Sequence, residues 1–185
     1  MKKLPNYLTI LRIVLIPVLV LAFYIPGKWG ALISGTIFIF ASVTDFFDGY
    51  LARRYDVQSN FGRWLDPVAD KLLVATAIIM LVHFDKADIF PAIAILCREI
   101  LVSGLREYLA EINVSVPVSK LAKIKTAIQM TSLSLLLLSG GLPDYFFAEF
   151  LGSVTLWIAA GLTVITGYAY LKTGLVHMDE EEKTD

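Results

Sequence analysis

The sequence predicts an all-α polytopic membrane protein: six transmembrane helices behind a short N-terminal interfacial segment. Three observations predict it. Of the 185 residues, 57% are hydrophobic and the mean hydropathy is +0.69, above the apolar share of about 45–50% in an average soluble domain. The apolar residues fall into six long runs separated by Pro, Gly and charged breakers. Each run is close to the ~20 residues that cross a bilayer core. The basic residues are unevenly divided between alternate connections, as the positive-inside rule requires.

The first span runs from about Leu8 to Ile25 and stops at Pro26-Gly27. Lys2, Lys3 and Pro5-Asn6 ahead of it form the interfacial lead-in. No small-x-small cleavage pattern follows before Pro26, so this stretch reads as a retained helix and not as a signal peptide. The second span covers about Ala31 to Arg53. The third opens at Asp66-Pro67, a common helix start with Asp as N-cap and Pro at the first helical position, and ends near His83. The fourth covers about Ile89 to Leu109, and the longest connection, from Glu111 to Lys120, follows it. The fifth runs from about Ile124 to Leu138 and closes at Gly140, Gly141 and Pro143. The sixth runs from about Phe147 to Leu171. One transmembrane domain over 1–178 and an acidic cytosolic tail over 179–185 complete the expected organisation.

Net charge is −1, so there is no bulk basic character and no nucleic-acid partner is expected. A single cysteine, Cys97, excludes an intramolecular disulfide. With the N-terminus inside, the outer connections hold only Lys28 and Lys86. The inner segments hold Lys2, Lys3, Arg53, Arg54, Arg63, Lys120, Lys123, Lys172 and Lys183. The expected orientation therefore has both termini in the cytosol and the protein in the cell inner membrane.

Four aspartates stand out at the inner ends of the second and third spans. Asp45, Asp48, Gly49 and Ala52 lie at offsets of three, four and seven, one stripe of a helix. Asp66 and Asp70 are four apart and share a face of the next helix. If that helix folds back on the second, the two pairs converge at the cytosolic surface. Carboxylates near a bilayer are costly unless something cationic holds them, and hard oxygen ligands suit Mg²⁺ or Mn²⁺. Four carboxylates exceed the need of one Mg²⁺ that still binds phosphate, which favours two ions about 4 Å apart. Gly49 and Ala52 leave a strip free of bulky side chains beside the acids, with Arg53 one turn on and Gly62 near the start of the third helix. A nucleotide fits such a strip, its phosphate paired with the arginine fork. Other readings stay open for the individual residues. Asp66 serves equally as an N-cap, and Asp45 and Asp48 equally line a wet cavity or pair with Arg53 and Arg54.

Taken together, Asp45, Asp48, Gly49, Ala52, Arg53, Gly62, Asp66 and Asp70 are eight residues at fixed spacing across 26 positions. This segment resembles the signature of the CDP-alcohol phosphotransferase family, with no departure at a fixed position. The N-terminal Pro5-Asn6-x-Leu8-Thr9-x-x-Arg12 segment extends the resemblance. It implies the six-helix fold of that family, a homodimer, and a two-ion centre of Mg²⁺ or Mn²⁺ held by Asp45, Asp48, Asp66 and Asp70. It also implies Asp70 as the general base, with Asp48, Gly49, Ala52, Arg53 and Gly62 holding the CDP moiety.

Within the family, the runs Arg98-Glu99-Ile100, Leu105-Arg106-Glu107 and Ala122-Lys123-Ile124-Lys125-Thr126 resemble the branch whose acceptor is sn-glycerol 3-phosphate. Ala122 stands where that branch usually has a glycine before the first lysine. The implied reaction takes CDP-diacylglycerol and glycerol 3-phosphate to phosphatidylglycerol phosphate and CMP, a step of phospholipid biosynthesis. A dianionic acceptor needs cations, and Arg106, Lys123 and Lys125 are the expected grip on its phosphate. Arg98 extends that pocket or locks helices together. Lys120 is assigned to anionic membrane lipid headgroups. Two alternatives are carried: the same family with serine, inositol phosphate or phosphatidylglycerol as acceptor, and a small metal or proton transporter. A transporter needs acids through the membrane depth, whereas these gather at the cytosolic ends of the spans.

Overall fold

A computed structural model describes the backbone of residues 4–55, 60–112, 114 and 119–181, and side chains over 7–44, 65–112, 114, 119–172 and 174. Among the described residues there are six helices and no strand: α1 (Leu4–Phe23), α2 (Lys28–Tyr55), α3 (Asn60–His83), α4 (Ile89–Glu111), α5 (Lys120–Ser139) and α6 (Tyr145–Glu181). Two of them, over Lys120–Ser139 and Tyr145–Lys172, are long and apolar enough to cross a membrane. Shorter apolar stretches, Tyr7–Phe23 and Lys28–Thr44, lie in α1 and α2. The lower apolar content of α3 and α4 has a plain cause. Asp66, Asp70 and Lys71 interrupt one, and Arg98, Glu99, Arg106 and Glu107 interrupt the other.

Several boundaries differ from those expected, among them the start of α5, which lies at Lys120 and not at Ile124. Pro5 and Asn6 belong to α1 itself, which is continuous from Leu4, so this part of the expected lead-in is helix joined to the first span. α3 starts at Asn60, which places Asp66 and Pro67 inside the helix and rules out Asp66 as its N-cap. Pro67 has no N–H to give, so the carbonyl of Arg63 loses its helical partner there. α6 continues to Glu181, so the acidic stretch begins as helix.

Helix ends follow local chemistry. Gly27 sits at φ 73, a conformation that favours glycine, and turns the chain from α1 into α2. α3 ends in a Schellman motif: Lys86 N–H reaches Leu81 O (2.8 Å) and Asp85 N–H reaches Val82 O (3.1 Å), with Asp85 at φ 55. Ser119 caps α5, its hydroxyl accepting from Ala122 N–H at 3.1 Å. Asp88 precedes α4 without a side-chain capping bond and instead accepts from Trp157 Nε1 at 2.9 Å, tying α4 to α6.

The helices form a ring in which α1 packs on α2, α2 on α5, α5 on α6, α6 on α4, α4 on α3, and α3 on α1. One apolar core runs through it. α3 supplies Leu73, Val74, Ala77, Ile78 and Leu81, a helical stripe at steps of one and three. Phe38, Ile95, Leu133, Leu136, Leu156 and Ala159 close around that stripe from α2, α4, α5 and α6. These five residues of α3 lie in its C-terminal half, toward the α3–α4 turn, and Ala69 is buried one turn before them. The end bearing the α2–α3 and α4–α5 connections instead holds the buried cations Arg12 and Lys125, with Thr9 and Gln129, whereas Ser34 and Ser139 are small hydroxyls buried toward the other end. Large apolar side chains cover much of the outside, among them Phe90, Ile100, Phe146, Phe150, Val164 and Ile165. Such a surface suits lipid and not water.

Candidate active site at the polar end of the bundle

Asp66 and Asp70 lie one turn apart on α3, both half-buried. Thr9 of α1 donates its hydroxyl hydrogen to Asp66 Oδ1, which fixes the orientation of that carboxylate. Thr9 is buried, and Arg12, one turn along the same face of α1, is only 2% exposed. These two residues were legible in the sequence only as part of a resemblance. The structure gives them a place, on the helix that packs against both aspartate-bearing helices.

On the other side of the site, α2 is helical through Tyr55, so Asp45, Asp48, Gly49 and Ala52 keep the spacing of one helical stripe. The side chains of Asp45, Asp48, Gly49, Ala52, Arg53 and Gly62 lie outside the described residues.

From α4 and α5 come the cations. Lys125 is 1% exposed and forms an ion pair with Glu99, which is a quarter exposed. Arg98 Nη1 also reaches Glu99 Oε1, at 3.4 Å. The group of three carries a net positive charge in a largely buried setting. Lys71, beside Asp70 on α3, donates to Ser103 Oγ on α4. Ser103 stands one turn beyond Glu99, so this bond ties the helix of Asp70 to the charged face of α4. Arg106 lies over the ring of the buried Tyr170 on α6, its Cζ 5.5 Å from the centroid and its Nη2 3.4 Å from the hydroxyl oxygen.

The structure thus gathers Arg98 and Lys125 on Glu99, sets Asp70 near enough to Lys125 to feel its charge, and leaves Asp66 one turn away against Thr9, and Arg106 at the edge against α6. Lys123 does not join them: it is exposed, and two residues from Lys125 it faces the opposite side of α5. Lys71, Ser103 and Tyr170 are additions that the sequence did not single out for the site. Spacing offered a partial signal, since Ser103 falls on the Glu99 face by i, i+4.

The candidate metal ligands are all carboxylate oxygens, a donor set that fits a hard divalent cation. Asp66 carries the kind of outer hydrogen bond, here from Thr9, that commonly orients a ligating carboxylate. Among the described residues, which leave out the side chains of Asp45 and Asp48, no group of three or more acidic, His or Cys side chains is gathered. His83 packs edge-on against Phe84 at the far end of α3, away from the acids.

A family model described as CDP-alcohol phosphatidyltransferase matches residues 2–165. The chain belongs to that family. Among relatives of this CDP-alcohol phosphatidyltransferase is a protein of Rickettsia felis, 53% identical over 171 residues, covering 92% of this chain and 94% of the relative. It is named CDP-diacylglycerol–glycerol-3-phosphate 3-phosphatidyltransferase. A Yersinia pestis relative of the same name is 46% identical over 173 residues, covering 91% of this chain and 93% of its own. One from Pseudomonas fluorescens, also so named, is 43% identical over 188 residues, covering 99% and 93%. Membership makes the chain a phosphatidyltransferase by family and agrees with the aspartate signature from Asp45 to Asp70.

Proposed function

We propose that this protein is an integral membrane enzyme of phospholipid biosynthesis that transfers the phosphatidyl group of CDP-diacylglycerol to sn-glycerol 3-phosphate, releasing CMP. The geometric observation that carries this reading is the pairing of two environments at one end of the bundle. The Asp66–Asp70 face of α3 adjoins the Arg98–Glu99–Lys125 cluster, with Lys71 and Ser103 bridging them. The near full-length similarity to relatives named for glycerol 3-phosphate supports the acceptor.

Asp45, Asp48, Asp66 and Asp70 would hold two divalent ions, Mg²⁺ or Mn²⁺, which when bound neutralise the diphosphate of the donor. Gly49, Ala52, Arg53 and Gly62, with Asp48, would seat the CDP moiety. Arg98, Lys125 and Arg106 would bind the acceptor phosphate as charge-assisted donors, with the exposed Lys123 serving its approach. Asp70 accepts the proton of the acceptor's primary hydroxyl. That oxygen bonds to the phosphorus bearing diacylglycerol, the bond from this phosphorus to the CMP oxygen breaks, and CMP leaves with the electron pair. Positioning by the Lys71–Ser103 bridge keeps Asp70 facing the α4 cations during this exchange.

The six helices are all assigned as membrane spans, with both termini and the site on the cytosolic face of the inner membrane. Support comes from the apolar outer surface, the two spans long enough to cross, and the basic residues of the inner segments. A homodimer and contacts with surrounding lipid complete the reading, on family resemblance. Purified protein in detergent, given CDP-diacylglycerol with glycerol 3-phosphate, serine, inositol phosphate or phosphatidylglycerol in turn, should release CMP with the first alone and only with a divalent cation. CMP release with a different acceptor, or without added metal in chelator, would overturn the assignment.

A further inference from the structure

We propose that Gly167 of α6 is a positioning residue for Arg98, so that the absence of a side chain at 167 sets the path of the arginine toward the acceptor phosphate. This rests on the reading of Arg98 as an acceptor contact.

Gly167 is buried on the face of α6 turned to α4. A Cβ at this position would fall 2.9 Å from Arg98 Cγ and 4.0 Å from Arg98 Cβ and Nε. Cγ is close to the root of the side chain. It cannot yield by swinging a distant tip, and relief requires a different χ1 or χ2 rotamer for the whole arginine. Among the described residues the head group has one polar contact, with Glu99. Its Nε is buried and has no hydrogen-bond partner among the described residues, and its contact with Glu99 is long, at 3.4 Å. Packing against bare α6 backbone therefore restrains where the guanidinium points. Gly174, two turns on along the same helix, supplies a built-in comparison. A Cβ there would meet Leu105 Cδ1 at 2.7 Å, which disturbs the same α4–α6 seam without touching a charge.

The test measures KM for each substrate, a quantity that does not depend on how much of the protein is folded. Gly167→Ala should raise KM for glycerol 3-phosphate about tenfold, the loss of about 1.4 kcal/mol, and leave KM for CDP-diacylglycerol unchanged. Gly174→Ala should leave both unchanged. Arg98→Ala should raise the acceptor KM, and adding Gly167→Ala to it should raise it no further, because the two act through one side chain. An unchanged acceptor KM in Arg98→Ala removes the reading of Arg98 as an acceptor contact. If Arg98→Ala raises it and Gly167→Ala does not, or if their effects multiply, that reading stands and the role of Gly167 is refuted. Should Gly167→Ala fail to accumulate in the membrane, the double variant decides. Removing Arg98 Cγ relieves the contact, so Gly167→Ala/Arg98→Ala should accumulate; continued failure refutes the proposal.

Discussion

Glu99 offers the most demanding perturbation of the site. Its carboxylate serves both the almost fully buried Lys125 and Arg98. Glu99→Ala leaves two cations facing each other with no anion between them. Breaking a buried pair by removing one partner costs about 3–5 kcal/mol. The low end applies here because Glu99 is a quarter exposed and solvent screens part of its charge. A loss of about 3 kcal/mol in a chain of this size lowers the melting temperature by roughly 6–12 °C. The penalty comes from the stranded charge and not from the lost contact, which makes a second variant informative. Glu99→Leu combined with Lys125→Met removes the more deeply buried of the two stranded cations and should recover part of the stability, since an apolar pair of similar volume often replaces a buried ion pair without loss, while Arg98 stays unpaired. Thermal unfolding of detergent-solubilised protein, followed by intrinsic fluorescence of its three tryptophans, reads both. If the single variant melts within about 2 °C of the parent, or if the double variant is no more stable than the single one, the buried-charge account is wrong.

Three further outcomes are expected. Thr9→Val keeps the shape of α1 but removes the donor to Asp66. It should raise the Mg²⁺ concentration needed for half-maximal CMP release severalfold, and an unchanged Mg²⁺ titration would separate Thr9 from the carboxylate site. Asp70→Asn should still bind CDP-diacylglycerol but release CMP about 10²–10⁴-fold more slowly, so binding and turnover measured on one preparation test it as the base. Tyr170→Phe retains the ring beneath Arg106 and should leave the acceptor KM near the parent value. Tyr170→Leu, which removes the ring, should raise it about two- to fivefold, the scale of a cation–π contact; equal values for the two variants would dismiss the ring.

Much of the architecture can be read from the chain alone because its signals are strong and local. Pro26-Gly27 and Gly140-Gly141 interrupt apolar runs at the turns the structure shows, and the aspartate signature lies on α2 and α3 as its spacing requires. Asp66-Pro67 misleads for a physical reason. It has the chemistry of a helix start, yet α3 begins at Asn60 and tolerates Pro67 on an exposed face at the cost of one backbone bond. The pairs Lys71–Ser103, Lys125–Glu99 and Arg106–Tyr170 each join different helices, so they depend on how those helices are rotated about their axes, which periodicity within one helix does not specify. Lys123 is the opposite case. A step of two on a helix turns about 200°, so its separation from Lys125 was readable without any structure.

The lengthwise division of the bundle shapes how the protein moves. Close-packed aliphatic residues clamp one end, while the other is held by a few polar bridges between helices. Local opening begins where apolar contacts are fewest, so amide exchange is expected to be faster at the polar mouth than at the far end. On the proposed function, a two-tailed donor lipid would enter and depart sideways at that mouth, with the aliphatic end keeping the bundle sealed.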